Sequence, residues 1–143
     1  MGTILSRSIS HERLLHFSVW SAQIMLASFF AAMASLKLLL PVDRLVEVMA
    51  WTETLPLAFV RGLGVAELLG AIVVAAPAVT RTPQRIVGFA AVGFLTLMAS
   101  AAVIHIARSE LRMVALNLAI GALAAFVAWG RLMHEPLETS DHR

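Results

Sequence analysis

Cysteine is absent from the chain. That excludes disulfides, thiol relays, cysteine-ligated metals and iron–sulfur clusters built on these residues alone. Charge is scarce as well. Asp, Glu, Lys and Arg make up 14% of the residues, against about 25% in an ordinary soluble domain. The basic residues flank apolar runs and form no cluster, which argues against a nucleic-acid surface. No glycine-rich phosphate loop, GxSxG or HExxH occurs, so the common nucleotide-binding, serine-hydrolase and zinc-protease signatures are missing. Gly62-Leu63-Gly64 is too short to mark a dinucleotide site. His105 is taken as the one histidine inside an apolar run, so no metal site is expected. At most it could supply one axial haem ligand.

What is present is apolar. The chain has 143 residues, 59% of them hydrophobic, and a mean hydropathy of +0.84. The lipid bilayer is therefore the expected partner. The pI near 10.4 reflects arginines at membrane edges, since the net charge is only +2.

The apolar runs divide the chain. Residues 1–13 form a polar segment expected to fray, 14–131 a transmembrane domain, and 132–143 a polar tail. The run from Leu14 to Leu40 exceeds a signal-peptide core, which is roughly 7–15 residues, and reads as the first span. Gln23, Ala27, Ala31 and Ser35 recur at i+4 as a packing stripe, and Lys37 is placed to snorkel to water. Pro41 breaks the run. Val42 to Leu55 is amphipathic and too charged to span, so it reads as an interfacial helix anchored by Trp51.

Pro56 suits the first turn of a second span that ends near Pro77. A third span runs from Ile86 to Ala107. Ser109 is the expected N-cap of a fourth, with Glu110 complementing its positive end. The fourth runs to Trp129 and is stopped by Gly130 and Arg131. Asn117, Gly121 and Ala125 stripe one of its faces. The fold class is all-α: a transmembrane four-helix bundle with a short interfacial amphipathic helix between spans one and two. Four spans put both termini on one side, and the positive-inside rule assigns that side to the cytoplasm of a bacterial inner membrane.

The chemistry is expected around Glu67. A carboxylate inside a span costs about 2.5–3.5 kcal/mol. Gly64, Gly70 and Ala71 share its helical face and would let another helix approach closely. By helical rise Glu67 lies about 16 Å deep, Asn117 roughly 9 Å, Arg61 roughly 7 Å, and His105 about one turn from its edge. With Lys37 and Trp51 they converge on the leaflet opposite the termini, as polar groups lining a pocket would. Glu67 and His105 are the candidate catalytic residues; their depths differ by about 10 Å, so Asn117 or a water would have to bridge them. Asn117, Arg61, Lys37 and Trp51 are the candidate binding residues.

Each has a plainer alternative. Glu67 could be an inert acid bonded to Asn117 or a serine. Arg61 could pair with Glu53 or reach head groups, and His105 could be a boundary residue. Ser35, Thr96 and Ser100 fit packing better than nucleophilic roles.

Several local patterns coincide. Lys37 follows the first span, and Trp51 precedes Leu55-Pro56. Arg61 precedes Gly64-Val65-Ala66-Glu67-Leu68-Leu69-Gly70-Ala71. Ala101-Ala102-Val103-Ile104-His105 leads to Glu110, and Gly130-Arg131 closes the last span. Over residues 14–131 the chain resembles the DoxX-like family of small four-helix membrane proteins.

The resemblance implies such a bundle and a link to membrane redox complexes, the family name coming from a subunit associated with thiosulfate:quinone oxidoreductase. Lys37, Arg61, Glu67, His105 and Glu110 match family-typical positions. The function expected is binding of a lipophilic small molecule, first of all a quinone, in a redox component or accessory. The alternatives are a cofactor-independent isomerase or cyclase, and a non-catalytic accessory subunit. A homo-oligomer or a partner oxidoreductase is compatible with the small-residue stripes.

Overall fold

The computed structural model describes residues 2–134, with side chains from residue 12 onward. The expected polar tail from Glu135 onward lies outside the described residues. Helix α1 spans Gly2–Leu39, α2 Val42–Val48, α3 Leu57–Ala75, α4 Gln84–Ala107 and α5 Leu111–Trp129. A 3-10 turn, Ala50–Thr54, follows α2, and another, Ala76–Ala78, extends α3. Among the described residues, four stretches are long and apolar enough to cross a membrane: Glu12–Leu39, Leu57–Ala78, Gln84–Ala107 and Leu111–His134. The first and last take in His16 and His134, so His105 is not the only histidine within a span.

Three boundaries differ from expectation. Helix α1 is already helical through the polar segment that was expected to fray. Gly130 and Arg131 do not stop the last helix, because a π-turn, Gly130–His134, carries it onward. Ser109 does not cap α5. It adopts φ 58°, and Glu110 takes the N-cap position instead. The reason lies in how α4 ends. Ser109 N–H donates to Ile106 O and Glu110 N–H to His105 O. That pair of bonds makes a Schellman motif, which needs a left-handed residue at the position Ser109 fills.

Proline explains the sharp starts. Pro41, Pro56 and Pro83 immediately precede α2, α3 and α4. Each has φ near the ring's fixed value and lacks a donor that the first turn would leave unsatisfied anyway.

Lipid tails are as apolar as leucine, so association of the spans rests on close van der Waals contact. Small residues provide it. A Cβ built on Gly64 would lie 2.9 Å from Lys37 Cβ, and one on Gly70 2.7 Å from the Phe94 ring. Phe30 of α1 stacks on Phe94 of α4 with centroids 3.6 Å apart, and Leu26, Val74, Val87, Ala91 and Val127 close the core around them. The buried stripe of α1 runs Val19, Gln23, Leu26, Phe30, Ala34, Lys37. Ser35 falls off it and bonds its own helix at Ala31 O. Thr96 and Ser100 do the same at Val92 O and Thr96 O. The outer faces carry lipid-facing side chains such as Phe59, Ile72, Phe89 and Val103.

Candidate functional site

The last turn of α1 packs against Gly64 of α3. Gly64 has no side chain, so the backbone at Lys37 settles directly onto it. Lys37 therefore cannot reach water. Its side chain is 5% exposed, and it turns inward to Glu67, also 5% exposed. The ammonium donates to both carboxylate oxygens, at 3.0 Å to Oε1 and 2.8 Å to Oε2. This buried ion pair replaces the Asn117 or serine bond expected for Glu67.

Two further groups surround the pair. The Lys37 ammonium lies 5.9 Å from the centre of the Trp51 ring, within cation–π range. Trp51 belongs to the 3-10 turn after α2, and Leu45 of α2 and Thr52 of the turn are buried. Arg61 does not pair with Glu53. Its guanidinium donates to the carbonyls of Lys37 and, at 2.7 Å, of Leu40. Those are carbonyls at the C-terminus of α1, which have no partner in their own helix and carry the negative end of its dipole. One arginine thus closes the helix end that holds Lys37.

The other expected members stand apart. Asn117 is buried, but its amide donates to Met113 O one turn back at 2.8 Å. It does not bridge toward Glu67. His105 Nδ1 meets Glu110 Oε2 at 2.5 Å, and Arg108 Nε donates to Glu110 Oε1 at 2.8 Å. This second cluster closes the α4–α5 turn. Arg108 first, and then His105, hold the Glu110 carboxyl below the usual carboxylate range by hydrogen bonding to its ionised form. Glu67 and His105 therefore belong to separate constellations, one joining α1 to α3 and the other joining α4 to α5. The two side chains make no direct contact, and Asn117 does not bridge them.

A third polar group was missed. Gln23 and Arg131 are 1% and 0% exposed. Arg131 Nε donates to Gln23 Oε1 at 2.7 Å, and Gln23 Nε2 donates to Val74 O at 2.6 Å. The Arg131 guanidinium also lies over the Trp20 ring, 4.7 Å from its centre. Gln23 offered a signal, being a polar residue inside a span. Arg131 offered none, because an arginine after an apolar run usually sits at the water edge.

Two cavities, of about 610 Å³ and about 120 Å³, lie along α1 at the end nearer the termini. Glu67 lines neither. Among the described residues, no three His, Asp or Glu side chains gather as a metal site. In chemical terms, the Lys37–Glu67 pair can offer a carbonyl or hydroxyl one donor and one acceptor in a dry setting.

Comparison with known protein families matches the model described as the DoxX-like family to residues 21–127. That stretch includes Lys37, Trp51, Arg61, Glu67, His105, Glu110 and Asn117. No curated protein and no solved structure matches the chain.

Proposed function

The chain belongs to the DoxX-like family, and we propose that it holds the oxygenated head of a lipophilic small molecule, quinone-like in chemistry, at Lys37 and Glu67. The observation that carries this reading is the buried ion pair itself. Replacing such a pair by well-packed apolar residues is often neutral or stabilising, so stability alone is a poor reason to keep it. Inside a membrane, ionisable residues mark ligand and proton paths by default. Trp51 adds a flat aromatic face beside Lys37, suited to stacking on a ring. Arg61 fixes the end of α1 and so positions Lys37. In this reading His105 and Asn117 are structural, and the chain serves as a membrane redox component or accessory.

A second reading is favoured by the position of the two cavities, which lie away from Glu67. On it, the pair only fastens α1 to α3. One experiment separates the two. Decylubiquinone is titrated into purified protein in detergent, and quenching of Trp51 is followed in a Trp20→Phe/Trp129→Phe background. The probe should bind this form and should lose about tenfold or more in affinity, roughly 1.4 kcal/mol, in Glu67→Gln. The double variant Lys37→Met/Glu67→Leu restores an apolar contact and should fold, yet should still not bind. Binding by a folded double variant would overturn the ligand reading and leave the fastener.

The arginines support placing the termini in the cytoplasm of a bacterial inner membrane. Lys37 and Arg61 are engaged inside the bundle, so they drop out of the loop charge on the opposite side. Arg131, on the side of the termini, is buried and bonded to Gln23 and drops out in the same way, so the bias toward the termini stays small.

A further inference from the structure

A ligand reaches Lys37 and Glu67 only if a neighbour moves. The pair is buried and lines neither cavity. Gly64 holds the last turn of α1 directly against α3, so those two spans are interlocked. The segment that joins them is a different kind of neighbour. Its Trp51 ring lies beside the Lys37 ammonium. Among the described residues, the hydrogen bonds and ion pairs made by residues 42–55 all close within residues 41–55. Arg44 pairs with Glu47, Thr52 Oγ1 donates to Met49 O, and Thr54 Oγ1 donates to Trp51 O. The N–H groups of Leu45, Met49, Thr52 and Leu55 donate to the carbonyls of Pro41, Leu45, Met49 and Thr52. Helix α2 packs most closely on the 3-10 turn that follows it. The segment can therefore move as one unit without breaking a hydrogen bond to any span. What holds it down is the burial of Leu45 and Thr52 and the contact of Trp51 with Lys37. Its ends suit a hinge. Pro41 and Leu55 are both extended, with ψ of 153° and 148°, and such element-terminal residues absorb backbone rotation. Arg61 binds Leu40 O, the carbonyl just before Pro41, so the base of the first hinge stays fixed.

We propose that residues 42–55 form a lid, which swings about Pro41 and Leu55 and opens the Lys37–Glu67 pair to its lipophilic ligand. The lid as an entrance rests on the ligand reading of that pair. Closed, it keeps the ion pair dry, as lids over polar sites do. Lifted, it takes the Trp51 ring away from Lys37 and leaves the ammonium and the carboxylate in place on α1 and α3.

The chain has no cysteine, so one introduced thiol reports the motion on full-length protein in detergent. Thr52 in the segment and Val127 in the core are both buried. Thr52→Cys should react with N-ethylmaleimide at least about tenfold faster than Val127→Cys, because lifting the lid is a local event and reaching the core opens the bundle. Leu45→Ala removes the largest buried side chain of the lid. It should speed labelling of Thr52→Cys by about tenfold or more and leave Val127→Cys unchanged, which also shows that the bundle stays folded. Stopped-flow quenching of Trp51 by decylubiquinone, in the Trp20→Phe/Trp129→Phe background, should show faster association in Leu45→Ala. Equal labelling of Thr52→Cys and Val127→Cys would overturn the lid, whether or not the probe binds. An association rate that Leu45→Ala leaves unchanged would overturn it as the entrance. Fast labelling of Thr52→Cys in a protein that does not bind decylubiquinone would uphold the motion and overturn the ligand reading instead.

Discussion

Glu110 shows how one carboxylate can tie a turn together. It accepts from Arg108 and meets His105, and both interactions favour its charged form. Its pKa is lowered in the folded state, so its contribution to stability is fully present above the ordinary carboxylate value. The contribution disappears as pH falls through the lowered one, in a window on the order of pH 4 and below. Melting curves between about pH 6 and pH 3 should therefore fall more steeply for the unmodified protein than for Glu110→Gln. Parallel curves would show that the cluster adds nothing to stability. Beside it, Ser109 holds φ 58°, a conformation that costs an L-residue about 1–2 kcal/mol. Ser109→Gly should be neutral or stabilising by up to about 1 kcal/mol, while Ser109→Val should destabilise, as read by thermal melting in detergent.

The Lys37–Glu67 pair makes a sharper demand. Loss of one partner leaves a buried charge, at a cost of about 3–5 kcal/mol. Lys37→Met and Glu67→Leu should each melt well below the double variant Lys37→Met/Glu67→Leu. If both single variants melt with the double, the charges are not mutually dependent.

Glycine spacing within α3 separates packing from propensity at the scale of the element. Gly62 has open space where a Cβ would stand, whereas Gly64 has Lys37 Cβ at 2.9 Å. Two positions apart on one helix, they should respond in opposite ways. Gly62→Ala gains up to about 1 kcal/mol of helix propensity. Gly64→Leu forces α1 away and should cost on the order of 1–3 kcal/mol through overpacking. It should also detach Lys37 from Glu67. Thermal melting of the two variants checks this, and equal effects would mean that α1 does not approach α3 at that level.

Element identities were readable because each rests on a local property. An apolar run of bilayer length gives a span, and Pro41, Pro56 and Pro83 give its edges. That another helix would pack closely around Glu67 was also foreseeable from Gly64, Gly70 and Ala71; which helix was not, since Gly64 meets Lys37 of α1 and Gly70 meets Phe94 of α4. Nor was the partner of Glu67. Depth counting treats each helix as starting at the membrane edge, which puts Lys37 in water and Glu67 at the midplane. In the fold Lys37 sits against Gly64, one turn before Glu67 on α3, and its long stem reaches the carboxylate. Gln23 and Arg131 are 108 residues apart, and no periodicity connects them. Asn117 was misjudged for the opposite reason: its partner is its own helix, one turn back, a choice open to any short polar side chain.

At the scale of the molecule, the polar groups fall into two levels joined by an apolar middle. Phe30, Phe94 and the alanines around them separate the Lys37–Glu67 level from the Gln23–Arg131 level. The two levels face opposite leaflets, so the orientation of the bundle decides which aqueous phase lies nearer to each. Arg81 in the loop between α3 and α4 and Arg85 in the first turn of α4 lie on the same side as the termini. The opposite end carries Arg44 in α2, Arg108 after α4 and Arg112 in the first turn of α5, of which Arg44 pairs with Glu47 and Arg108 with Glu110. Such pairing does little to orientation, because acidic residues weigh lightly in the rule. The remaining bias is therefore small and should be easy to shift. With both termini cytoplasmic, a green fluorescent protein fused after Arg143 should fluoresce and an alkaline phosphatase fused there should be inactive. Removing Arg81 and Arg85 together should yield a mixed population in the same assay. A dark fluorescent fusion with an active phosphatase would invert the bundle and turn the Lys37–Glu67 level toward the cytoplasm.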